Sequence, residues 1–310
     1  MHASDSLAAL LAEYRRDRTL ATSSFQQLEI AVNKFAAWHA TTCNRPAVIS
    51  DLTRANLHDW MDALAKPPDE LANPTINRKR GAVLSLANFA ADDLGLIPAM
   101  RRPKRLVEGT DPPIAWTLSE FDRLLWSAGL ETAEWEDGAN AGDCWSFGFR
   151  MIWDSGARFE ELWSAKTAHV DFDQATWFVQ HGHRKGKRQG RLYALAPDTL
   201  DAIKATLTTP PRERLWPFPW KKRQVWIHWD RILLRAGLPS GRTAKWHCIR
   251  KTAESHAAAQ RGAAWAAEAV GHSEAVARRH YLAPSIVPTP SLSDCLPRPR
   301  PKPNLSLYAG

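Results

Sequence analysis

The chain has 310 residues, 24% charged and 44% hydrophobic, enough for two domains that each bury a core and unlike a disordered or fibrous composition. Forty-one Lys and Arg against 33 Asp and Glu give a net charge of +8 and a pI near 9.5, so polyanions are natural partners. Cys43, Cys144, Cys248 and Cys295 form no CxxC pair, no apolar run approaches the roughly 20 residues of a membrane span, and the first residues lack a signal-peptide layout; a soluble cytoplasmic protein without a disulfide framework is expected.

The first third reads as helical. Ser23 with Gln26 has the spacing of a capping box, and Leu28, Ala31, Val32 and Phe35 recur at helical spacing to about Trp38. A shorter helix is expected over 54–64, ahead of the Pro67-Pro68 turn. Asn73-Pro74 reads as a cap with proline in the first helical position. That helix turns Ile76, Val83, Leu86, Ala87 and Ala90 inward and stops at Gly95, with Pro98 beyond it. Across 98–113 the apolar period disappears while Arg101, Arg102, Lys104 and Arg105 accumulate, the composition of a linker or of a solvated basic loop.

A second domain opens with a capping box at Thr117 and Glu120, backed by Phe121, Leu124 and Leu125, and helix dominates to Trp163. Three short strands are predicted at 170–172, 176–179 and 191–195, joined by a turn at 173–175 and a strongly basic loop at 181–190. Helical patterns resume at Thr199 and run past Tyr281. In the tail, Pro297, Pro299, Pro301 and Pro303 alternate with Arg298, Arg300 and Lys302, which excludes a regular helix. The fifteen Trp are scattered and form no stacking motif, and there is no internal repeat. The fold class expected is mainly α with a small antiparallel β-sheet, divided as 1–97, a basic linker 98–113, an α+β domain 114–284 and a tail 285–310.

Four segments of the second domain carry chemistry together. In the first, Gly156 ends one helix and Arg158 opens the next, with Glu161 one turn along to hold the guanidinium. The second is the basic turn from His183 to Arg188, where a hairpin tip can thrust Lys185 or Lys187 into a groove. In the third, His247 and Arg250 are three apart in a predicted helix and share a face. The fourth is Gly271-His272-Ser273, followed by Tyr281. Taken singly, each has a bland reading as an exposed polar residue or a core tyrosine.

Read in order, these residues resemble the signature of the tyrosine recombinase/phage integrase family. The first domain is similar to that family's helical core-binding domain, including Thr75-Ile76-Asn77-Arg78 at the start of a helix. The resemblance implies a helical core-binding domain plus an α+β tyrosine-recombinase catalytic domain, and a site-specific recombinase or integrase as the activity. Tyr281 would attack a DNA phosphate and form a 3′-phosphotyrosine, which allows rejoining without ATP. A tyrosine hydroxyl, with a free pKa of about 10, needs a base or a strongly positive site. By resemblance Arg158 and Arg250 clamp the phosphate oxygens, His247 handles the proton, and His272 donates a hydrogen bond to the phosphate. A hairpin lysine protonates the leaving 5′-oxygen, Lys185 being preferred to Lys187 because it leads the KGK turn. No metal and no cofactor is expected. Where the family often has Arg-His-Thr, this chain has Arg250-Lys251-Thr252.

The implied partner is double-stranded DNA, wrapped by a C-shaped clamp whose linker crosses the duplex, with a homo-tetramer on two DNA sites and no membrane. Arg78, Lys79, Arg80, Arg101, Arg102, Lys104, Arg105 and Lys187 are then the expected backbone contacts, giving affinity and salt sensitivity rather than sequence reading. Two alternatives stay open: a type IB topoisomerase-like relaxation of DNA, and a DNA-binding relative without catalysis.

Overall fold

The computed structural model describes residues 5–109, 111–135, 138–183, 189–208, 211–241 and 244–288. Backbone contacts divide the chain into two units, Met1–Thr110 and Asp111–Gly310, and each is taken by itself.

The first unit is built on helices α1 (Leu7–Asp17), α2 (Thr22–Cys43), α3 (Arg54–Leu64) and α4 (Asn73–Asn88). Ser6 starts α1 by accepting the Ala9 N–H at 3.1 Å. In α2, Phe25, Leu28, Ala31, Val32, Phe35 and His39 face inward. The expected Ser23–Gln26 capping box does not form: the helix starts at Thr22, so Ser23 already lies inside its first turn and cannot cap it. Helix α3 occupies the predicted span, with Thr53 accepting the Asn56 N–H. Its Trp60 meets Phe35 of α2 edge-on at 5.5 Å in the middle of the core. The cap of α4 falls one residue earlier than expected, at Ala72. Pro74 still sits in the first turn, where a missing N–H has no helical partner to lose. A π-turn over Phe89–Asp93 and a left-handed Gly95 (φ +64°) end this run.

The basic segment beyond it is tied to α4. Asn77 donates to the Leu106 carbonyl and accepts the Leu106 N–H, both at 2.9 Å, and Asn73 donates to the Val107 carbonyl at 2.7 Å. Arg80 donates through Nε and Nη2 to the Pro103 carbonyl. Up to residue 109 the segment read as a linker is therefore pinned to the first unit.

In the second unit, α5 (Leu118–Gly129) begins with the predicted capping box. The Thr117 N–H donates to Glu120 at 2.8 Å and the Glu120 N–H returns to the Thr117 hydroxyl at 3.3 Å. There follow α6 (Ala141–Ser155), α7 (Phe159–Trp163), β1 (Val170–Asp171), β2 (Thr176–Val179), β3 (Arg191–Ala194), α8 (Pro197–Lys204), α9 (Val225–Arg235), α10 (His247–Arg261), α11 (Ala263–Val270) and α12 (Glu274–His280). The strands form an antiparallel meander in which Trp177 pairs with Val170 on one side and Tyr193 on the other. Two helical expectations change. The described residues of 205–221 are irregular, and α12 ends at His280, so Tyr281 lies just past a helix rather than within one.

The scattered tryptophans meet in space. Trp135, Trp145, Trp216, Trp229 and Trp246 pack with Phe149 and Phe218, with Trp145–Trp216 ring centroids 5.1 Å apart and Trp216–Trp246 at 5.4 Å. Such edge and tilted pairs contribute roughly 0.5–1.5 kcal/mol each beyond burial. Two of the indole N–H groups are satisfied by carbonyls, Trp216 by Cys144 at 2.8 Å and Trp229 by Ala244 at 2.9 Å. Trp246 immediately precedes α10 and packs at 5.2 Å on Phe159, the first residue of α7. The aromatic core thus joins the starts of these two helices. No helix among the described residues is long and apolar enough to cross a membrane.

Candidate active site

The turn between α6 and α7 comes first. Gly156 caps α6 in the left-handed region (φ +58°), and a Cβ there would stand 2.0 Å from Val270 Cγ1, so only glycine fits. The turn delivers Arg158 to the N-cap of α7, where its N–H donates to Glu161 Oε2 at 2.8 Å. The buried Glu161 carboxylate also pairs with the Arg158 guanidinium at 3.5 Å, as the three-residue spacing predicted. Arg158 keeps 27% of its side chain exposed, enough to meet an anion.

Helix α10 supplies the floor. His247, Arg250 and Glu254 lie three and four residues apart and share a face. Arg250 has no exposed surface, and it donates through Nη1 to the Gly156 carbonyl and through Nη2 to the Val270 carbonyl at 3.3 Å. It therefore joins the α6–α7 turn to the end of α11. Its Nε has no hydrogen-bond partner among the described residues.

Three side chains converge on Tyr281. The Arg250 guanidinium carbon lies 5.2 Å from the centre of its ring, the His247 ring 5.2 Å away at a steep angle, and the His272 ring 4.6 Å away and stacked. The tyrosine backbone is strapped to α10 by Ser255, whose hydroxyl donates to the Tyr281 carbonyl at 3.1 Å and accepts the Ala283 N–H at 3.0 Å. Left-handed Gly271 ends α11 and turns His272 inward. There Nδ1 lies 3.1 Å from the Ser273 carbonyl and Nε2 lies 3.1 Å from Glu254 Oε2.

The electrostatics follow from burial and from the two arginines. His247 is pushed down to about 4 by partial enclosure of its ring and then by the charges of Arg250, Lys251 and Arg158. By surface area the residue as a whole is exposed. Burial also lowers His272, with Arg250 and Arg158 adding to the effect and the Ser273 carbonyl opposing it. Glu254, almost wholly enclosed, is raised to about 7 by burial, against the pull of Arg250. Two fixed cations beside imidazoles held neutral make a site prepared for an incoming anion.

Of the predicted site residues, Arg158, His247, Arg250, His272 and Tyr281 are brought together. Lys185 and Lys187, like the tail from 289 onward, lie outside the described residues. In the first unit Arg78, Arg101, Arg102, Lys104 and Arg105 are exposed and Lys79 is half-buried. Arg80 is a correction: it is buried and committed to the Pro103 carbonyl, so it holds the basic segment in place rather than offering a phosphate contact. Both nitrogens of His272 are engaged within the protein, Nδ1 with the Ser273 carbonyl and Nε2 with Glu254. Glu254 and Ser255 were missed. The signal for Glu254 was its place four residues after Arg250 and seven after His247, on one helical face. Among the described residues no group of three or more His, Cys, Asp or Glu is placed to hold a metal ion.

No protein-family model matches the sequence and no curated protein matches it. Solved structures do resemble the fold. A Tn1549 transposon integrase in complex with a circular intermediate DNA superposes with a TM-score of 0.65 at 13% identity, over 90% of this chain and 96% of that one. A lambda integrase tetramer bound to a Holliday junction gives 0.60 at 14% identity, over 88% and 76%. A lambda integrase dimer bound to a core site gives 0.60 at 13%, over 86% and 92%. The chain therefore has the integrase fold, mainly α with a small antiparallel sheet.

Proposed function

We propose that the protein is a site-specific DNA recombinase that cleaves and rejoins strands through a phosphotyrosine at Tyr281. The observation that carries this reading is the convergence of Arg250, His247 and His272 on one tyrosine ring, with Arg158 held by Glu161 beside them. The likeness to integrases solved on DNA supports it. The Tyr281 oxygen bonds to phosphorus as the bond to the 5′-oxygen breaks. The tyrosine proton passes to His247, which is neutral at neutral pH, and the leaving oxygen takes a proton from Lys185 or Lys187. Arg158 and Arg250 balance the charge that builds on the phosphoryl oxygens. Because Arg250 is shielded with the Tyr281 ring over it, a phosphate reaches it only as that ring moves aside. The same motion frees the hydroxyl for attack. The substrate is double-stranded DNA, with a homo-tetramer spanning two sites as the working assembly. Exposed Arg78, Arg101, Arg102, Lys104 and Arg105 track the backbone.

The test uses short nicked duplexes of randomised sequence, from which a cleaving enzyme captures its own site as a covalent adduct. An adduct that survives denaturation is expected, with a loss of at least about a thousandfold in Tyr281→Phe. Undiminished yield in that variant refutes Tyr281 as the nucleophile.

A further inference from the structure

Glu254 has no part in the steps above, yet it sits against His272 with almost no exposure. Both nitrogens of that imidazole face acceptors, Nδ1 the Ser273 carbonyl and Nε2 the Glu254 carboxyl, each at 3.1 Å. A carbonyl oxygen can only accept, so Nδ1 must carry a proton. The contact at Nε2 then needs a second proton, either on Nε2 (an imidazolium facing a carboxylate) or on Oε2 (a neutral ring facing a carboxylic acid). Without it, a bare nitrogen lone pair faces a carboxylate oxygen across 3.1 Å in an enclosed site. Burial raises Glu254 to about 7 and lowers His272, and both shifts favour the carboxyl oxygen over the ring nitrogen as the seat of a shared proton. The same imidazole is stacked on Tyr281 at 4.6 Å, so whatever fixes its plane also fixes the nucleophile's ring.

We propose that Glu254 is a positioning residue for strand cleavage: through one proton shared with His272 it locks the imidazole against Tyr281, and losing that proton unlocks the site. The inference rests on the recombinase reading of Tyr281. As a phosphate enters, the proton moves from Oε2 to Nε2, leaving a carboxylate beside Arg250 and an imidazolium beside the anion, with no net proton gained or lost. The groups facing the pair are His247 and Arg250 from α10, Arg158 from the start of α7, Arg191 from β3, and Tyr281. The arginines do not titrate, and His247, held at about 4, is already neutral above pH 5. Within this cluster, the shared proton is the one lost across the neutral range.

The experiment measures single-turnover adduct formation against pH on the captured nicked duplex, made with a 5′-bridging sulfur whose departure needs no lysine proton. The wild-type rate is expected to fall by about tenfold per pH unit above the pair's titration. In Glu254→Gln the amide donates permanently to Nε2, so the fall should vanish while the ring stays in place. A fall of equal steepness at the same pH in Glu254→Gln overturns the proposal. Nitrogen NMR of the His272 ring gives a second readout that needs no cleavage. A neutral-range titration lost in Glu254→Gln supports the shared proton, and one unchanged by the substitution overturns it. Absence of any adduct from the wild-type protein at every pH would instead overturn the strand-cleavage reading, and the nitrogen spectrum would still decide the state of the pair.

Discussion

Gly156→Ala tests how the turn beneath Arg158 is held. The added methyl costs twice. A left-handed non-glycine residue costs about 1–2 kcal/mol, and a Cβ placed 2.0 Å from Val270 Cγ1 forces a shift worth about 1–3 kcal/mol. The turn also carries the carbonyl to which Arg250 donates, so a shift propagates to that buried guanidinium. The sum is about 2–5 kcal/mol, or roughly 4–20 °C in the melting temperature of a unit this size. Val270→Ala alone removes two methyls from a buried position and costs about 2 kcal/mol. In the double variant the clash partner is gone, so the two losses should fall short of their sum by at least about 1 kcal/mol. Denaturant melts of the four proteins close the cycle. Strict additivity would mean that the contact with Val270 does not determine the glycine.

Further outcomes concern protons and charges. His247, depressed to about 4 from an ordinary 6.5, contributes stability that is fully present above pH 6.5 and lost as pH falls through 4. The drop in melting temperature across that window should therefore shrink in His247→Gln, and an unchanged drop would count against the enclosure of this ring beside its cations. With the sulfur-bridged duplex, Lys185→Ala should be rescued and Lys187→Ala should not; the opposite pattern exchanges their roles. Arg78→Ala should reduce the slope of log affinity against log salt by about 1. Arg80→Met should instead lower the melting temperature of the first unit, and a pure affinity effect there would restore it as a phosphate contact.

How much could be read beforehand depended on the range of the interaction. Capping at Thr117, the three strands, and the Arg158–Glu161 pair are local, and the order of Arg158, His247, Arg250, His272 and Tyr281 was visible because scarce residue types recur at distinctive spacings. Features that depend on distant partners were not. Arg80 looked like any surface arginine until Pro103, 23 residues on, claimed it. Glu254 becomes notable only when α11 and its turn bring His272 onto it, and Ser255 only when the chain after α12 folds back. The Ser23–Gln26 box failed for the converse reason, since the local signal sat just inside a helix that already begins at Thr22 and carries Phe25 and Leu28 into the core.

The tryptophan cluster has an optical consequence. Of the fifteen indoles in the chain, only Trp38 and Trp60 belong to the first unit. Emission from the whole protein therefore reports mainly the second unit, and rings with centres 5–6 Å apart in its core exchange excitation before emitting. Helical ellipticity, by contrast, draws on both units. If the two unfold separately, fluorescence and circular dichroism will trace different transitions, and the gap between the curves belongs to the first unit. Trp246, one residue before His247, places a fluorophore at the edge of the candidate site without any label.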